Sequence, residues 1–252
     1  MPQPVAYVHH RQHPRGDLGS RLSTHEAAAK ARAARMDPQV HAWAMTALKQ
    51  AGVSALNPEA VAAALLAAVR RDKLYVPDPH DGEFIVSPEC LLGTCGGIKF
   101  DGGDCDDLAA GYAAAALSAG LPGAAIVGQY YQDFLGRDVL SHVLAAAWTG
   151  TAWRYADPSE KNELGTAGPS SREIWVDVMS GKILCNSASC DPASVVAPPA
   201  PTGQGDFVGV AGNKGDAALC VVDDAFPWGK VTAAFVAGAA VGAVVAVVWR
   251  RK

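Results

Sequence analysis

Residues 104–119 leave this chain the least conformational choice. Asp104 stands where an N-cap belongs, Asp106 and Asp107 add two acids to the first turn, an alanine-rich run succeeds them, and Gly120 closes it. An aspartate cap, acids at the positive end of the helix dipole and a terminal glycine are the start and stop signals of one helix. Beyond Gly120 the chain is strand-like. The runs 124–131 and 139–148 are rich in β-formers, Thr149-Gly150-Thr151 breaks the chain before 152–155, and 173–179 and 182–185 flank Ser180-Gly181.

Ahead of residue 75 the periodicity is helical. Ser23 and Glu26 have capping-box spacing before an alanine-rich run to about Arg35. Asp37-Pro38 and Asn57-Pro58 each pair a cap with a first-turn proline, predicting helices that end near Gly52 and Lys73. Val40, Trp43, Ala44 and Leu48, then Val61, Leu65, Leu66 and Val69, recur at helical spacing and are expected in a shared core. The stretch 75–79 carries two prolines and 90–103 is glycine-rich, so an irregular segment is expected between the third helix and the one at 104.

With 252 residues there is room for a sizeable core. Charge is scarce, 18% of residues against a usual ~25%. Much of the shortage falls from Asp191 onward, in a Pro/Ala/Gly/Ser-rich stretch read as a linker and in an apolar run at 231–248 whose only polar side chain is Thr232. That run, between Lys230 and Trp249-Arg250-Arg251-Lys252, is at the lower limit for a membrane span. Its small residues, among them Ala237, Gly238 and Gly242, suit close helix packing in lipid or among copies of the chain. The expected organisation is a basic arm with a helix at 1–36, a domain at 37–190, a linker at 191–229 and an apolar, membrane-spanning helix at 230–252. No apolar signal-peptide region is readable after Met1, so attachment is expected through the C-terminal helix, to a membrane or within an assembly such as a virion.

A net charge of -4 argues against a nucleic-acid binder. Residues 1–50 hold seven Lys/Arg against three Asp/Glu, a balance of +4 that leaves -8 for the remainder; the bland reading of this arm is a solvated helical face. His9, His10, His13 and His25 read as part of a polar arm rather than a metal site, and the Arg15-Gly16-Asp17 tripeptide is too short to carry a function. No cofactor and no metal are expected. Cys90 with Cys95 and Cys185 with Cys190 form two C-x4-C pairs, compatible with a four-thiolate zinc site, with disulfides or with plain thiols.

Cys105 is the residue with chemistry. It opens the helix at 104, where unpaired N–H groups favour a thiolate and can hold a developing oxyanion. Asp104, Asp106 and Asp107 work against the thiolate, so a cationic partner is required, and His142 on the second strand-like run is the best candidate. A two-residue turn at Gly150-Thr151 would place residues whose numbers sum to 301 opposite each other, setting His142 against Ser159 and Asp157 on the same face. A three-residue turn would send Asp157 to the other face. Cysteine, histidine and aspartate so placed make a nucleophile, base and orienter.

The run Gly103-Asp104-Cys105-Asp106-Asp107-Leu108-Ala109, the turn Gly120-Leu121-Pro122, then Ser141-His142-Val143 and Trp153-Arg154-Tyr155-Ala156-Asp157-Pro158-Ser159 closely resemble the transglutaminase-like core. Tyr75-Val76-Pro77-Asp78-Pro79, Glu83 and Ser87-Pro88-Glu89 are similar to the lead-in of bacterial and tailed-phage members, and the likeness covers about residues 38–185. The resemblance implies a papain-like α+β fold, with the cysteine helix packed on an antiparallel sheet that bears histidine and aspartate. It further implies Cys105 as nucleophile, His142 as general base and acid, Asp157 as orienter, and a protein or peptide substrate attacked at a peptide or glutamine carbonyl through a thioester. Release to water gives hydrolysis and release to an amine gives cross-linking. Leu144 departs from the aromatic residue frequent at that place, which bears on the family's substrate tunnel rather than on the triad. No side-chain oxyanion donor is assigned from the sequence. The alternative function is a non-catalytic component of a phage-like virion or membrane complex that retains the fold.

Overall fold

The computed structural model describes residues 17–78, 85–95, 97, 99–188 and 190–198. The expected arm before residue 17, most of the linker and the apolar helix at 230–252 lie outside these residues. Among the described residues no helix is long and apolar enough to cross a membrane.

Among the described residues, five helices and seven strands are arranged in the order α1 Asp17–Ala34, α2 Pro38–Ala51, α3 Pro58–Asp72, β1 Leu74–Tyr75, α4 Pro88–Leu92, β2 Gly102–Gly103, α5 Cys105–Ser118, β3 Gly123–Gln132, β4 Asp138–Trp148, β5 Trp153–Ala156, β6 Arg172–Asp177 and β7 Ile183–Ser187. The class is α+β. β3 to β7 form one antiparallel sheet in the spatial order β5-β4-β3-β6-β7.

The predicted caps of α2 and α3 are in place. Asp37 Oδ1 accepts from the N–H groups of Gln39 and Val40, and Asn57 Oδ1 accepts from that of Ala60. The expected start of α1 at Ser23 is corrected: the helix begins at least six residues earlier, and Ser23, mid-helix and buried, sends its hydroxyl to Asp106 Oδ2 at 2.9 Å instead of capping. The segment expected to be irregular contains α4 and the parallel pair β1–β2. Two-residue strands carry too little pattern to be read from sequence, and β2 is made of glycine alone. Gly102 is required there, because a Cβ would collide with the Leu74 carbonyl.

Strand alternation divides the sheet into two faces. Ile126, Tyr130, Val143, Ala145, Ile174 and Val176 join the buried faces of the helices in the larger core. Ala125, Val127, Leu144, Ala146 and Trp175 point the other way and are covered by Trp153, Tyr155, Cys190 and Val195. The first residues of the Pro/Ala-rich stretch take part in that cover, since the Trp153 indole donates to the Val196 carbonyl. A buried carboxylate anchors this second face: Glu173 accepts from the Tyr155 hydroxyl at 2.7 Å, the Trp175 indole at 2.8 Å and Gln129 Nε2 at 2.9 Å. With the Ser170 hydroxyl at 3.3 Å, four donors replace the water that burial removes.

Helix α5 is enclosed from Asp106 to Ala116. Its alanines let neighbouring elements approach closely, and Tyr112, wholly buried, satisfies its hydroxyl on the Ala62 carbonyl of α3. This packing fixes where the first residue of the helix, Cys105, comes to lie.

Candidate active site

Three elements place the predicted site residues. Asp104 and Asp107 form a reciprocal capping box, each side chain accepting from the other's backbone N–H, so α5 starts at Cys105. Cys105 is half-buried, packs against the larger core, and is in no disulfide. The two C-x4-C pairs are each closed on themselves, as Cys90–Cys95 and Cys185–Cys190 disulfides.

His142 lies on β4 at an irregularity in the β3 pairing. Gln129 pairs with His142 and Tyr130 with Leu140, which leaves Ser141 as the extra residue of a bulge. Bulges re-aim side chains, and this one sits under the imidazole. The β4–β5 hairpin has the two-residue connection: Ala145 pairs with Ala156, Ala146 with Tyr155 and Trp148 with Trp153, the register that sums to 301, and Gly150 takes the φ of 93° that the tight turn demands. β5 ends at Ala156, before the pairing of His142 with Ser159 can form. The chain turns instead at Asp157, whose Oδ1 accepts from the Ser159 N–H, the Ser159 hydroxyl at 2.8 Å and the Glu160 N–H. The other oxygen, Oδ2, meets His142 Nε2 at 2.8 Å.

An ionised carboxylate only accepts, so an imidazole bonded to it through Nε2 carries a proton on that nitrogen. Burial works to raise the Asp157 carboxyl, but the His142 bond and charge with the Ser159 and Glu160 donors outweigh it, and the group is held below the usual carboxylate range. From α3, Arg70 Nη2 donates to the backbone carbonyls of Asp157 and Asn162 at 2.6 and 2.5 Å, closing the loop that carries the aspartate.

His142 and Asp157 open on a cleft of about 490 Å³ that also includes Tyr75, Gln129, Tyr131 and Glu160. Gln129 is fully buried and committed through Nε2 to Gly168 and Glu173. Tyr75 lines the same cleft, its backbone pairs with Gly103 ahead of α5, and its phenol is pushed up first by burial and then by negative charge at Cys105, Asp104 and Asp106. The structure thus brings His142 and Asp157 into direct contact. Cys105 lies at the α5 start, packed against the helical layer, and among the described residues it does not line the cleft of the dyad.

Asp104, Asp106 and Asp107 bring carboxylate oxygens within 4.8 Å of one another. The capping box, the Val86 N–H on Asp107 and the Ser23 hydroxyl on Asp106 account for most of these oxygens. Burial first, then the neighbouring Asp104 charge, pushes Asp106 and Asp107 well above the usual carboxylate range. The cluster anchors α5 to α1 and to the segment before α4.

Sequence reasoning gave Arg70 no place in the site, and Tyr75 entered it only within the run that resembles the family's lead-in. The parallel β1–β2 pair that places Tyr75 has no readable pattern, and Arg70 acts on backbone carbonyls 87 and 92 residues away.

No protein-family model and no curated protein matches the chain. Among solved structures, the crystal structure of a putative protease from Parabacteroides distasonis is similar over 66% of this chain and 31% of that one, at 14% identity and a TM-score of 0.38. This chain therefore corresponds to less than a third of that protein's length. A likeness of that extent leaves the chemistry of the cleft to be argued from its own residues.

Proposed function

We propose that the chain is a cysteine hydrolase or acyl transferase of the transglutaminase-like type, with Cys105 as nucleophile, His142 as general base and acid, and Asp157 as orienter. The observation that supports this most is the 2.8 Å contact between His142 Nε2 and the buried Asp157 carboxylate, in a cleft and with Nδ1 unused by Asp157. In the proposed reaction Nδ1 takes the Cys105 proton and the thiolate adds to a peptide or glutamine carbonyl carbon. The C–N bond then breaks, and the amine or ammonia leaves with the proton held by His142. Water or a second amine then gives a proton to Nδ1 as it attacks the thioester, and Cys105 leaves as thiol. The ion pair that forms on His142 during each step is stabilised by Asp157.

Selective alkylation tests this reading. Iodoacetamide near neutral pH should label Cys105 ahead of other thiols, and both His142→Ala and Cys105→Ala should abolish that labelling. Labelling of Cys105 no faster than that of a denatured-chain thiol would refute the assignment.

The alternative, a non-catalytic component of a phage-like virion or membrane complex, draws on one observation. Cys105 packs with the helical layer and, among the described residues, does not line the cleft of His142 and Asp157. Recovery of the protein as a stoichiometric part of a particle, with an unreactive Cys105, would decide for that reading.

A further inference from the structure

The cleft that holds His142 and Asp157 is lined, among the described residues, by several oxygen acceptors and by no lysine or arginine. Two of those acceptors lack donors. Gln129, fully buried yet part of the lining, stands in register between His142 on β4 and Glu173 on β6. Its Nε2 donates to the Gly168 carbonyl at 3.2 Å and to Glu173 Oε1 at 2.9 Å, and those two acceptors fix which end of the amide is nitrogen. The oxygen, Oε1, is left buried without a donor, and such an acceptor carries the full cost of its lost hydration. Glu160 is the second. Its backbone N–H donates to Asp157 Oδ1 at 3.2 Å, which seats it beside the dyad, while its exposed carboxylate has neither hydrogen bond nor ion pair among the described residues.

The charge at the cleft is one-sided. Arg70 spends Nη2 on the backbone carbonyls of Asp157 and Asn162 and is not part of the lining, so it offsets one of the two carboxylates, Asp157 and Glu160, and leaves the other. The Tyr131 phenol senses the excess: it is pushed up first by burial and then by negative charge at Asp157, Glu160 and Glu173. Tyr75 and Tyr131 supply the large ring surfaces of the cleft, whose volume of about 490 Å³ is ample for one long side chain. Ring walls, unpaired acceptors and a negative field together suit an apolar stem that ends in a cationic N–H donor.

We propose that the cleft is a binding site for the basic side chain of a peptide, whose ammonium donates to Glu160 and to Gln129 Oε1 while its methylene stem lies against Tyr75 and Tyr131. An ammonium held this way has no lone pair, so the group is recognised and not acylated. The site does not include Cys105, and it stands whether or not that thiol is a nucleophile.

The test uses the full-length chain and a peptide of glycines around one lysine, labelled at its N-terminus with fluorescein so that the lysine supplies its only ammonium. The same peptide with norleucine keeps the stem and removes the charge. By fluorescence anisotropy the lysine peptide is expected to bind about tenfold more tightly than the norleucine peptide, and Glu160→Gln to remove about fivefold of that preference with norleucine affinity unchanged. Glu160 is the residue to vary, because truncating Gln129 would also strip Glu173 of a donor. Glu163→Gln, at an exposed position outside the cleft, should leave both affinities at the parent values. Saturation with the lysine peptide should shift the His142 imidazole signals in nitrogen-15 spectra. Equal affinity for the two peptides, equal losses in Glu160→Gln and Glu163→Gln, or His142 signals that stay in place would each overturn the proposal. Selective lysine binding by a protein whose Cys105 fails to alkylate would uphold it and refute the nucleophile reading alone.

Discussion

Replacing Asp157 by asparagine keeps the shape of the side chain and removes its charge. The carboxylate is 1% exposed and takes four donors, three on Oδ1 and His142 Nε2 on Oδ2. Asparagine retains an oxygen for Ser159 and Glu160 but turns an amide donor toward Nε2, so the charge-assisted bond is lost and the ring proton moves to Nδ1. A hydrogen bond to a charged group contributes about 1.5–3 kcal/mol, and the remaining donors weaken on a neutral acceptor, so the loss at neutral pH should be about 2–4 kcal/mol. The loss should depend on pH in a defined sense. A native carboxyl held below its unfolded value near 3.9 contributes stability that is whole above that value and disappears as pH falls through the native one. Urea denaturation of both proteins from about pH 7 to about pH 2 should therefore show the gap closing below about pH 4. Nitrogen-15 spectra of the imidazole should show the proton on Nε2 in the parent and on Nδ1 in the variant. A gap that stays constant across the acid range, or an unchanged tautomer, would refute the assignment of His142 and Asp157 as a coupled pair.

Arg70→Met leaves the carbonyls of Asp157 and Asn162 without their donor and should cost about 2 kcal/mol by urea denaturation, with Arg70→Lys recovering part of it. Asp106→Asn is expected to stabilise the protein at neutral pH. A buried acid whose native pKa is raised weakens the fold above that pKa and ceases to do so as pH falls toward its unfolded value, so the variant should also lose part of the parent's gain in thermal midpoint on mild acidification. Gly102→Ala pushes a methyl into the Leu74 carbonyl and should displace β1, lowering the thermal midpoint. An unchanged midpoint would argue against the close β1–β2 pairing.

Short-range chemistry was legible along the chain. The caps at Asp37, Asn57 and Asp104 depend on side chains bonding N–H groups two or three residues ahead, and a linear reading captures that. The β4–β5 register came from a two-residue turn at Gly150, because hairpin pairing is set by the number of residues in the loop. Ser23 shows the opposite case: its capping-box spacing with Glu26 is genuine sequence pattern, but a buried partner 83 residues away, Asp106, claims its hydroxyl.

The amino-acid sequence by itself determined that a helix begins at Cys105, that strands come after it, and that His142 and Asp157 lie near one another across a hairpin. Only the tertiary structure decided the rest. It ended β5 at Ala156, so that Asp157 meets His142 directly instead of across a ladder. It brought Arg70 from α3 onto the aspartate loop, and Tyr75 from a two-residue strand to the lining of the cleft. The physical reason is contact range. Capping and hairpin pairing join residues separated by a few positions, whereas the parallel pairing and backbone hydrogen bonds that complete the site join residues between 28 and 92 positions apart, and no local pattern encodes them.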